Sequence, residues 1–482
     1  MSLIRKSLAF SFLDRYLAVL IQLVSTMVLA RLLTPGEIGM FSLAFSLVAV
    51  AQALRDFGAS SYLVQEKELT NAKIRAAFGI TLILAWLLGA LMIAVSGPIG
   101  QFYQEARIEA LVTVVALTFF LLPFSSIVHA LLRREMHFAP LMVIHFASAV
   151  VQAGVSMALA VLGYGAMSLA WGSVAASVAT VLVSYAYRPD LIGLVPSLRE
   201  ARTVLRFAKP MTGATLLSEL AIAAPDIIIG RLLGFTANGL FSRAQSLVKM
   251  FTKLVNQAIS PVALPAFASL YREGKPLAPA HERALVLLSA AAWPFFVFTF
   301  LWADIIIDLL LGDQWTEAVP IVRILCIGGA ISTLTTFVTP ALLAAGYVRF
   351  VLKYQLIVQP TAITLIAIGA LFSLHVVAFS FVAISVISVA VYYHLARNAL
   401  SFELLFILQA CRKSLFLALG SAIAPLLIDI AAQSWEPPAV VRFALLGTTF
   451  SAGWLFLVYI LRHPLQHELQ PLWQRIRVRF PI

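Results

Sequence analysis

The sequence predicts an all-α polytopic membrane protein, and three observations carry that prediction. There is too little charge for a water-facing surface, a long series of apolar stretches of spanning length, and a confinement of basic residues to alternate connections. Of 482 residues 61% are hydrophobic and only 12% charged, with a mean hydropathy of +0.96. A soluble domain carries roughly a quarter of its residues as Asp, Glu, Lys and Arg. Half that charge covers the loops of a chain whose flanks face lipid, and not much more.

About twenty apolar residues are needed to cross the hydrocarbon core. Such stretches fall at 10–32, 38–54, 76–96, 109–131, 141–162 and 166–186. They resume at 208–232, 239–268, 284–303, 319–343, 351–373 and 376–396, and two more follow at 413–430 and 439–461. The expectation is therefore about fourteen spans. The first apolar stretch is followed at once by a second and reads as a retained signal-anchor helix.

Direction follows from Lys and Arg in short loops, which stay on the cytoplasmic side. Alternate connections are rich in them: Arg55, Lys67, Lys73 and Arg75; Arg133 and Arg134; Arg188, Arg199, Arg202 and Arg206; Arg397, Arg412 and Lys413. The opposite connections hold Arg107, and the 304–318 connection carries Asp304, Asp308, Asp313 and Glu317 with no base. An even number of spans places both termini in the cytoplasm. The net charge of +12 is then a matter of topology, and nucleic acid is a poor explanation for it.

Several function classes fall away. No connection is long enough for a soluble domain. No GxxxxGK[ST] run is present to cradle a nucleotide, and the histidines show no HExxH spacing. Cys326 and Cys411 lie in or beside apolar runs, which excludes a disulfide framework or a cysteine-rich metal site. No catalytic residue, metal ligand or cofactor is expected. The basic tail from His463 sets Leu465, Leu469, Leu472, Trp473 and Ile476 against Arg475, Arg477 and Arg479, a pattern suited to the anionic inner leaflet.

The chain repeats itself at a shift of 200. Between 31 and 50, half the positions match their partners without a gap: Arg31/Arg231, Leu32/Leu232, Leu33/Leu233, Gly39/Gly239, Phe41/Phe241, Ser42/Ser242, Ala44/Ala244, Ser46/Ser246, Leu47/Leu247 and Val48/Val248. Apolar composition supplies Leu and Val coincidences but not Arg, Gly, Phe and two Ser in register. A weaker echo pairs ALLRREMHF at Ala130 with ALLAAGYVRF at Ala341. Six spans separate the copies, so the repeat is parallel, and two such lobes enclose a cleft suited to transport. The expected organisation is a six-helix lobe over 1–197, a second over 198–397, and an extra helix pair with the basic tail over 398–482.

Ionisable residues inside spans cost about 2.5–3.5 kcal/mol each on insertion scales and therefore turn toward a partner or a cavity. In the eighth span Gln245, Lys249, Lys253, Asn256 and Ser260 follow helical spacing as one polar stripe, with Arg243 near its start. Thr212, Thr215, Glu219 and Asp226 share a face of the seventh span, and Asp14 and Arg15 lie near the inner end of the first. Two readings stay open. Glu219 and Asp226 pair with Lys249 and Lys253 to stitch two helices. Alternatively Lys249, Lys253, Asn256, Arg243 and Arg15 meet an anionic substrate while Asp226 or Glu219 carries a coupling proton. Arg31 and Arg231, at the outer ends of their helices, read as a structural pair.

The run VLARLLTPGEIGMFSLAFSLVAVAQALRDFGASSYLVQEKEL from Val28, HALLRREMHF from His129, VALPAFASL from Val262, LGDQWTEAVPIVRILCIGGAIST from Leu311 and LRHPL at Leu461 together resemble one known family. It is the Wzx-type flippases, the polysaccharide-exporter branch of the multidrug/oligosaccharidyl-lipid/polysaccharide superfamily, closest to the colanic-acid and exopolysaccharide type. The resemblance covers essentially the whole chain. It implies two six-helix lobes in a V, alternating access, and an undecaprenyl-diphosphate oligosaccharide turned across the bacterial inner membrane for exopolysaccharide, capsule or O-antigen export. It also implies company with membrane lipids and other polysaccharide assembly proteins. Members often carry an acid in the seventh span, where Asp226 stands here. The rival readings are a drug or metabolite antiporter of the same superfamily and a membrane polysaccharide polymerase or ligase. The latter class would expose a large outward loop bearing Arg and His, which this chain lacks.

The topology is open to direct test in a Cys326→Ser, Cys411→Ser background carrying single new cysteines. Residues 304–318 should react with a membrane-impermeant maleimide in intact cells and residues 187–207 only after permeabilisation. Reaction of the 187–207 connection in intact cells would overturn the assignment.

Overall fold

The computed structural model of the protein describes residues 20–55, 59–432, 437–468 and 470, and within them the side chains of 203, 205–215, 254, 256–261, 398 and 432 stand outside the description. Regular structure among the described residues is entirely helical. The helices are α1 (Leu20–Leu32), α2 (Pro35–Arg55), α3 (Ala59–Gln65), α4 (Asn71–Tyr103), α5 (Ala106–Ala116), α6 (Thr118–Arg134), α7 (Phe138–Val161), α8 (Ala166–Tyr187), α9 (Ala201–Leu232) and α10 (Phe235–Arg272). There follow α11 (Ala278–Leu301), α12 (Ala303–Leu310), α13 (Val319–Ser332), α14 (Val338–Ala344), α15 (Val348–Ala370), α16 (Leu374–Leu400), α17 (Leu404–Ala410), α18 (Arg412–Ser421), α19 (Ile423–Ala432) and α20 (Ala439–Ile460). Among the described residues eleven helical runs are long and apolar enough to cross a membrane. In lipid a helix satisfies its own backbone, which is why an apolar chain of this length takes this form.

The chain divides into two compact units, Met1–Ser242 and Arg243–Ile482, and the division falls inside α10. In the first unit one apolar cluster joins α2, α4, α5 and α6 through Met40, Leu43, Met92, Ile108, Leu111 and Phe119. A second joins α3, α4, α6 and α7 through Tyr62, Leu63, Phe78, Leu131 and Ile144. The core of the second unit gathers Phe267, Leu285, Val338, Tyr392, Tyr393 and Phe402 from α10, α11, α14, α16 and the connection before α17.

Helix ends are closed by side chains the sequence places for that purpose. TPGE at the start of α2 forms a reciprocal cap. Glu37 Oε2 accepts from Thr34 N–H at 2.8 Å and from Thr34 Oγ1 at 3.0 Å, while Glu37 N–H donates to Thr34 Oγ1. The Arg134 guanidinium closes the other kind of end. It donates to the carbonyls of Leu63, Glu66 and Lys67, where α3 runs out and its dipole is negative. The two repeat copies share a turn after α6 and α14. His137 N–H reaches back to Leu132 O, and Tyr347 N–H to Leu342 O. Each turn needs a left-handed residue, supplied by Gly346 (φ 80°) in one copy and by Met136 (φ 59°) in the other.

The C-terminal helices are fastened to the second unit at both ends. At one end Asp429 of α19 accepts from Arg442 Nε of α20 at 2.7 Å and from Trp302 Nε1 at 3.1 Å. At the other, His463 of the LRHPL segment is fully buried. Its Nδ1 accepts the Leu465 N–H, so Nε2 carries the proton and donates to Ser414 Oγ at 3.1 Å. Ser289 Oγ of α11 donates to the same hydroxyl at 2.9 Å, and Trp454 Nε1 donates to Ala290 O.

Burial, with Lys413 beside it, pushes the His463 imidazole down to about 4 from its ordinary 6.5. The folded protein thus binds that proton less tightly than the unfolded chain. The stability it contributes is whole above pH 6.5 and is lost as pH falls toward 4. Between pH 7 and pH 4.5 the detergent-solubilised protein should lose more of its Tm than the His463→Gln variant does. An equal acid loss in both would show that this clasp does not titrate.

Candidate functional site

The segments that match across the repeat meet one another in space. At Gly39 the α2 backbone passes against the Phe235 carbonyl, and at Gly239 the α10 backbone passes against the Pro35 carbonyl. A methyl on either glycine would overlap the opposing oxygen. Asn238 Nδ2 donates to Gly39 O at 2.9 Å, and one turn further Ser42 Oγ and Ser242 Oγ lie 3.0 Å apart. Residue i therefore faces residue i + 200, the signature of a self-complementary contact around a two-fold axis. Small residues make the approach possible, as at many close helix crossings in membranes.

One further turn along α2, Ser46 Oγ donates to Asp226 Oδ2 of α9 at 2.6 Å. That distance is at the short end of the range for an O–H···O hydrogen bond. Glu219 sits on the same helix two turns earlier and is half-buried. Beyond Asp226, Tyr103 OH donates to Ile227 O at 3.2 Å, and the Arg231 guanidinium lies over the Phe102 ring at 4.9 Å. Arg31, its repeat partner, is exposed.

The polar stripe of α10 is seen in part. Lys249 Nζ donates to Gln245 Oε1, one turn earlier, at 2.8 Å. Lys249 and Lys253 are both exposed. The opposite face of the helix turns to the second unit: Phe251 stacks on Phe295 with centroids 4.8 Å apart and meets Phe296 edge-on, and Val255 packs against the core of Phe267, Leu285 and Val338. The lysines thus stand on the face turned away from that core. Arg243 Nε and Gln245 Nε2 are buried without a hydrogen-bond partner among the described residues. Asp14 and Arg15, and the side chains of Thr212, Thr215, Asn256 and Ser260, lie outside the described residues, as does the tail from Pro471 with Leu472, Trp473, Arg475, Ile476, Arg477 and Arg479. Among the described residues no group of three or more His, Cys, Asp and Glu is placed to hold a metal ion.

The structure thus joins Asp226 to Ser46 and Lys249 to Gln245. The residues that the polar-residue argument passed over are Ser42, Ser46, Gly39 and Asn238. Three of these four were already marked by their identity with Ser242, Ser246 and Gly239 in the repeat. Asn238 stands opposite Ile38 and carried no such mark.

A chain of apolar helices around intramembrane polar contacts is a multi-pass membrane protein. Its residues 28–320, more than half the chain, match the family described as "Polysaccharide biosynthesis protein", and the chain belongs to that family. It is similar to the "Teichuronic acid biosynthesis protein TuaB" of Bacillus subtilis (strain 168), 23% identical over 91% of this chain and 92% of the relative. It is similar also to the "Lipopolysaccharide biosynthesis protein WzxC" of Escherichia coli (strain K12), 23% identical over 72% of this chain and 71% of the relative. Among solved structures it shares its fold with the lipid II flippase MurJ in an inward closed conformation. The TM-score is 0.73 at 12% identity, over 94% of this chain and 99% of that one. An inward-facing multidrug resistance MATE family transporter follows at 0.65 and 16%, over 80% and 94%.

The glycine contact makes a prediction of its own. Ala has the better helix propensity, yet Gly39→Ala and Gly239→Ala should each destabilise the detergent-solubilised protein by roughly 1–3 kcal/mol, the usual cost of overpacking. Gly36→Ala, whose new methyl would come within 3.3 Å of the Thr236 hydroxyl only, should cost far less. Thermal unfolding of the three variants checks the order, and equal midpoints would show that the approach is not tight.

Proposed function

We propose that the protein is a flippase that turns a polyprenyl-diphosphate-linked oligosaccharide from the inner to the outer leaflet of the bacterial cytoplasmic membrane, for the export of a cell-surface polysaccharide. About fourteen spans, both termini in the cytoplasm, and two repeat lobes over 1–197 and 198–397 working by alternating access complete the reading. What carries it is a pair of lysines on the coreless face of a long α10 helix, in a chain whose family is one of polysaccharide biosynthesis.

Sugar and phosphate cannot cross hydrocarbon bare, so the head group needs a polar route. The diphosphate is common to all such cargoes, and ammonium groups suit it as point charges. Lys249 and Lys253 are four residues apart and reach one ligand from one helix face, with Arg243, Asn256 and Arg15 as further candidates. The undecaprenyl chain stays in lipid throughout. Asp226 and Glu219 are the candidates for ion coupling. In that role the Ser46 hydroxyl, which donates to Asp226 in this structure, is free to turn and accept when the carboxyl takes a proton.

Replacing Lys249 or Lys253 with Gln should cut polysaccharide export at least tenfold while leaving the amount of folded protein unchanged, and Arg should restore part of the loss. Helix stitching predicts otherwise: unstable protein on charge removal, rescued when Glu219→Gln is added. Full export by the Lys249→Gln, Glu219→Gln pair would refute the binding role. Asp226→Asn keeps an acceptor for Ser46 but cannot ionise. If Asp226→Asn and Glu219→Gln both export at the normal rate, neither carboxylate couples transport. Uptake of cationic drugs in place of lipid-linked sugar by purified, reconstituted protein would favour the antiporter.

A further inference from the structure

The connection between α8 and α9, a single 3-10 turn at Pro189–Leu191 followed by irregular backbone, is not free in water. Its exposure follows a period of three: Leu191 is buried and Leu194 packs beside it in the α4–α6 core, while Ile192, Val195 and Leu198 are 65%, 59% and 55% exposed. Three large apolar side chains in a row on an aqueous loop are costly, and this loop has no freedom to hide them. Arg75 of α4 holds it at two points, its Nε donating to Val195 O at 2.8 Å and its own carbonyl accepting the Ser197 N–H at 3.1 Å. One turn on, the Ser197 carbonyl lies where a Cβ on Gly79 would be 2.7 Å away.

Those contacts fix the depth of the loop. Arg75 is the last charged residue of α4, and none follows before Glu105. A segment laid across α4 from Arg75 to Gly79 therefore runs along the boundary between head groups and acyl chains. Arg199 and Arg202, both exposed, end the apolar row. The repeat offers an independent parallel. After the last span of the second copy, α17 buries Ile407 but exposes Leu405, Phe406 and Leu408 at 66%, 60% and 45%, and the exposed Arg412 and Lys413 follow at once.

We propose that the 188–202 connection, and α17 in the same place of the second copy, are seats on the cytoplasmic leaflet: the apolar rows enter the tops of the acyl chains and the flanking bases hold acidic phospholipid head groups. Apolar side chains beside a basic cluster are the general recipe for binding an anionic membrane surface. The inference rests on the cytoplasmic placement of these connections but not on any cargo, so it stands or falls apart from the flippase reading.

The test uses the full-length protein in the Cys326→Ser, Cys411→Ser background, with a bimane label on Val195→Cys in lipid nanodiscs. Leu198→Cys is a second position should the first variant fold poorly, and Lys275→Cys in the exposed turn at Gly274 is the aqueous reference. Lipid brominated near the head group should quench the Val195 label several-fold more than the reference, and iodide should quench it several-fold less. Phosphatidylglycerol in place of phosphatidylcholine should strengthen the lipid quenching, and Arg199→Gln with Arg202→Gln should abolish that gain. Iodide quenching equal to the reference overturns the seat. So does a label that is shielded in cells but exposed in nanodiscs, which would assign the surface to a protein partner. Quenching indifferent to head group and to the arginines overturns the acidic-lipid half of the proposal.

Discussion

Between α2 and the start of α10 there is no room for a methyl group, and much of the first unit depends on that approach. Within a membrane the lipid tails are as apolar as leucine, so burying apolar surface does little to hold helices together. Close packing and hydrogen bonds must do it, and both need small residues. Gly39 and Gly239 let the backbones touch, Asn238 ties one to the other, and the Ser42–Ser242 pair closes the next turn. With α2 held there, Ser46 arrives on the side of α2 that meets Asp226 on α9. A carboxylate that would cost several kcal/mol alone in hydrocarbon then has a donor in place.

The same accounting of polar groups explains where the other charges sit. Arg134 spends its donors on the carbonyl end of α3, and Arg442 meets Asp429. Arg323, at the far end of α13 from the 333–337 break, reaches Asp304 at 3.5 Å and the Phe300 carbonyl. Each of these side chains closes something a helical membrane protein must close. The motif RREMHF, read as a family signature, is in large part such a closure. Its Arg134 caps α3, its Glu135 binds Arg188, and its Met136 makes the turn. Lys249 and Lys253 differ in kind, because they stand on an exposed face opposite an aromatic stack.

Spans, loops and the repeat were legible because each is written locally: hydropathy over twenty residues, charge over a few, identity at a fixed shift. The apolar stretches largely fall within helices, but α4 runs over 71–103 against a stretch of 76–96, and α9 starts at 201 against 208. Breaks at 117, 333–337 and 422 fall inside stretches that hydropathy reads as one span. Tertiary partners were not legible. Nothing in the seventh span names Ser46, which is 180 positions away, as the donor to Asp226, and a helical wheel shows which residues share a face but not what that face meets. Met136 shows the limit from another side. Its backbone takes a left-handed conformation where the second copy has Gly346, and a methionine gives no sequence signal for such a turn. The apolar row of the 188–202 connection was hidden as well, since its basic residues mark it as a loop and only the contacts with Arg75 and Gly79 set its depth.

The two copies also separate what holds the fold from what can act. Positions kept identical include Gly39/Gly239 and Ser42/Ser242, which face each other. A two-fold contact constrains both partners alike, so neither drifts alone. Positions that differ place polar and charged side chains in one copy only. Leu43, Phe45, Ala49 and Ala53 stand where the second copy has Arg243, Gln245, Lys249 and Lys253, and Thr26 stands where it has Asp226. Leu43 is fully buried in the core of the first unit, a place no arginine would tolerate. Duplication thus left one α2-type helix to pack and freed its copy, α10, to become cationic. A symmetric scaffold has no need of that asymmetry, whereas the proposed hold on a single anionic head group asks for charge on one side only.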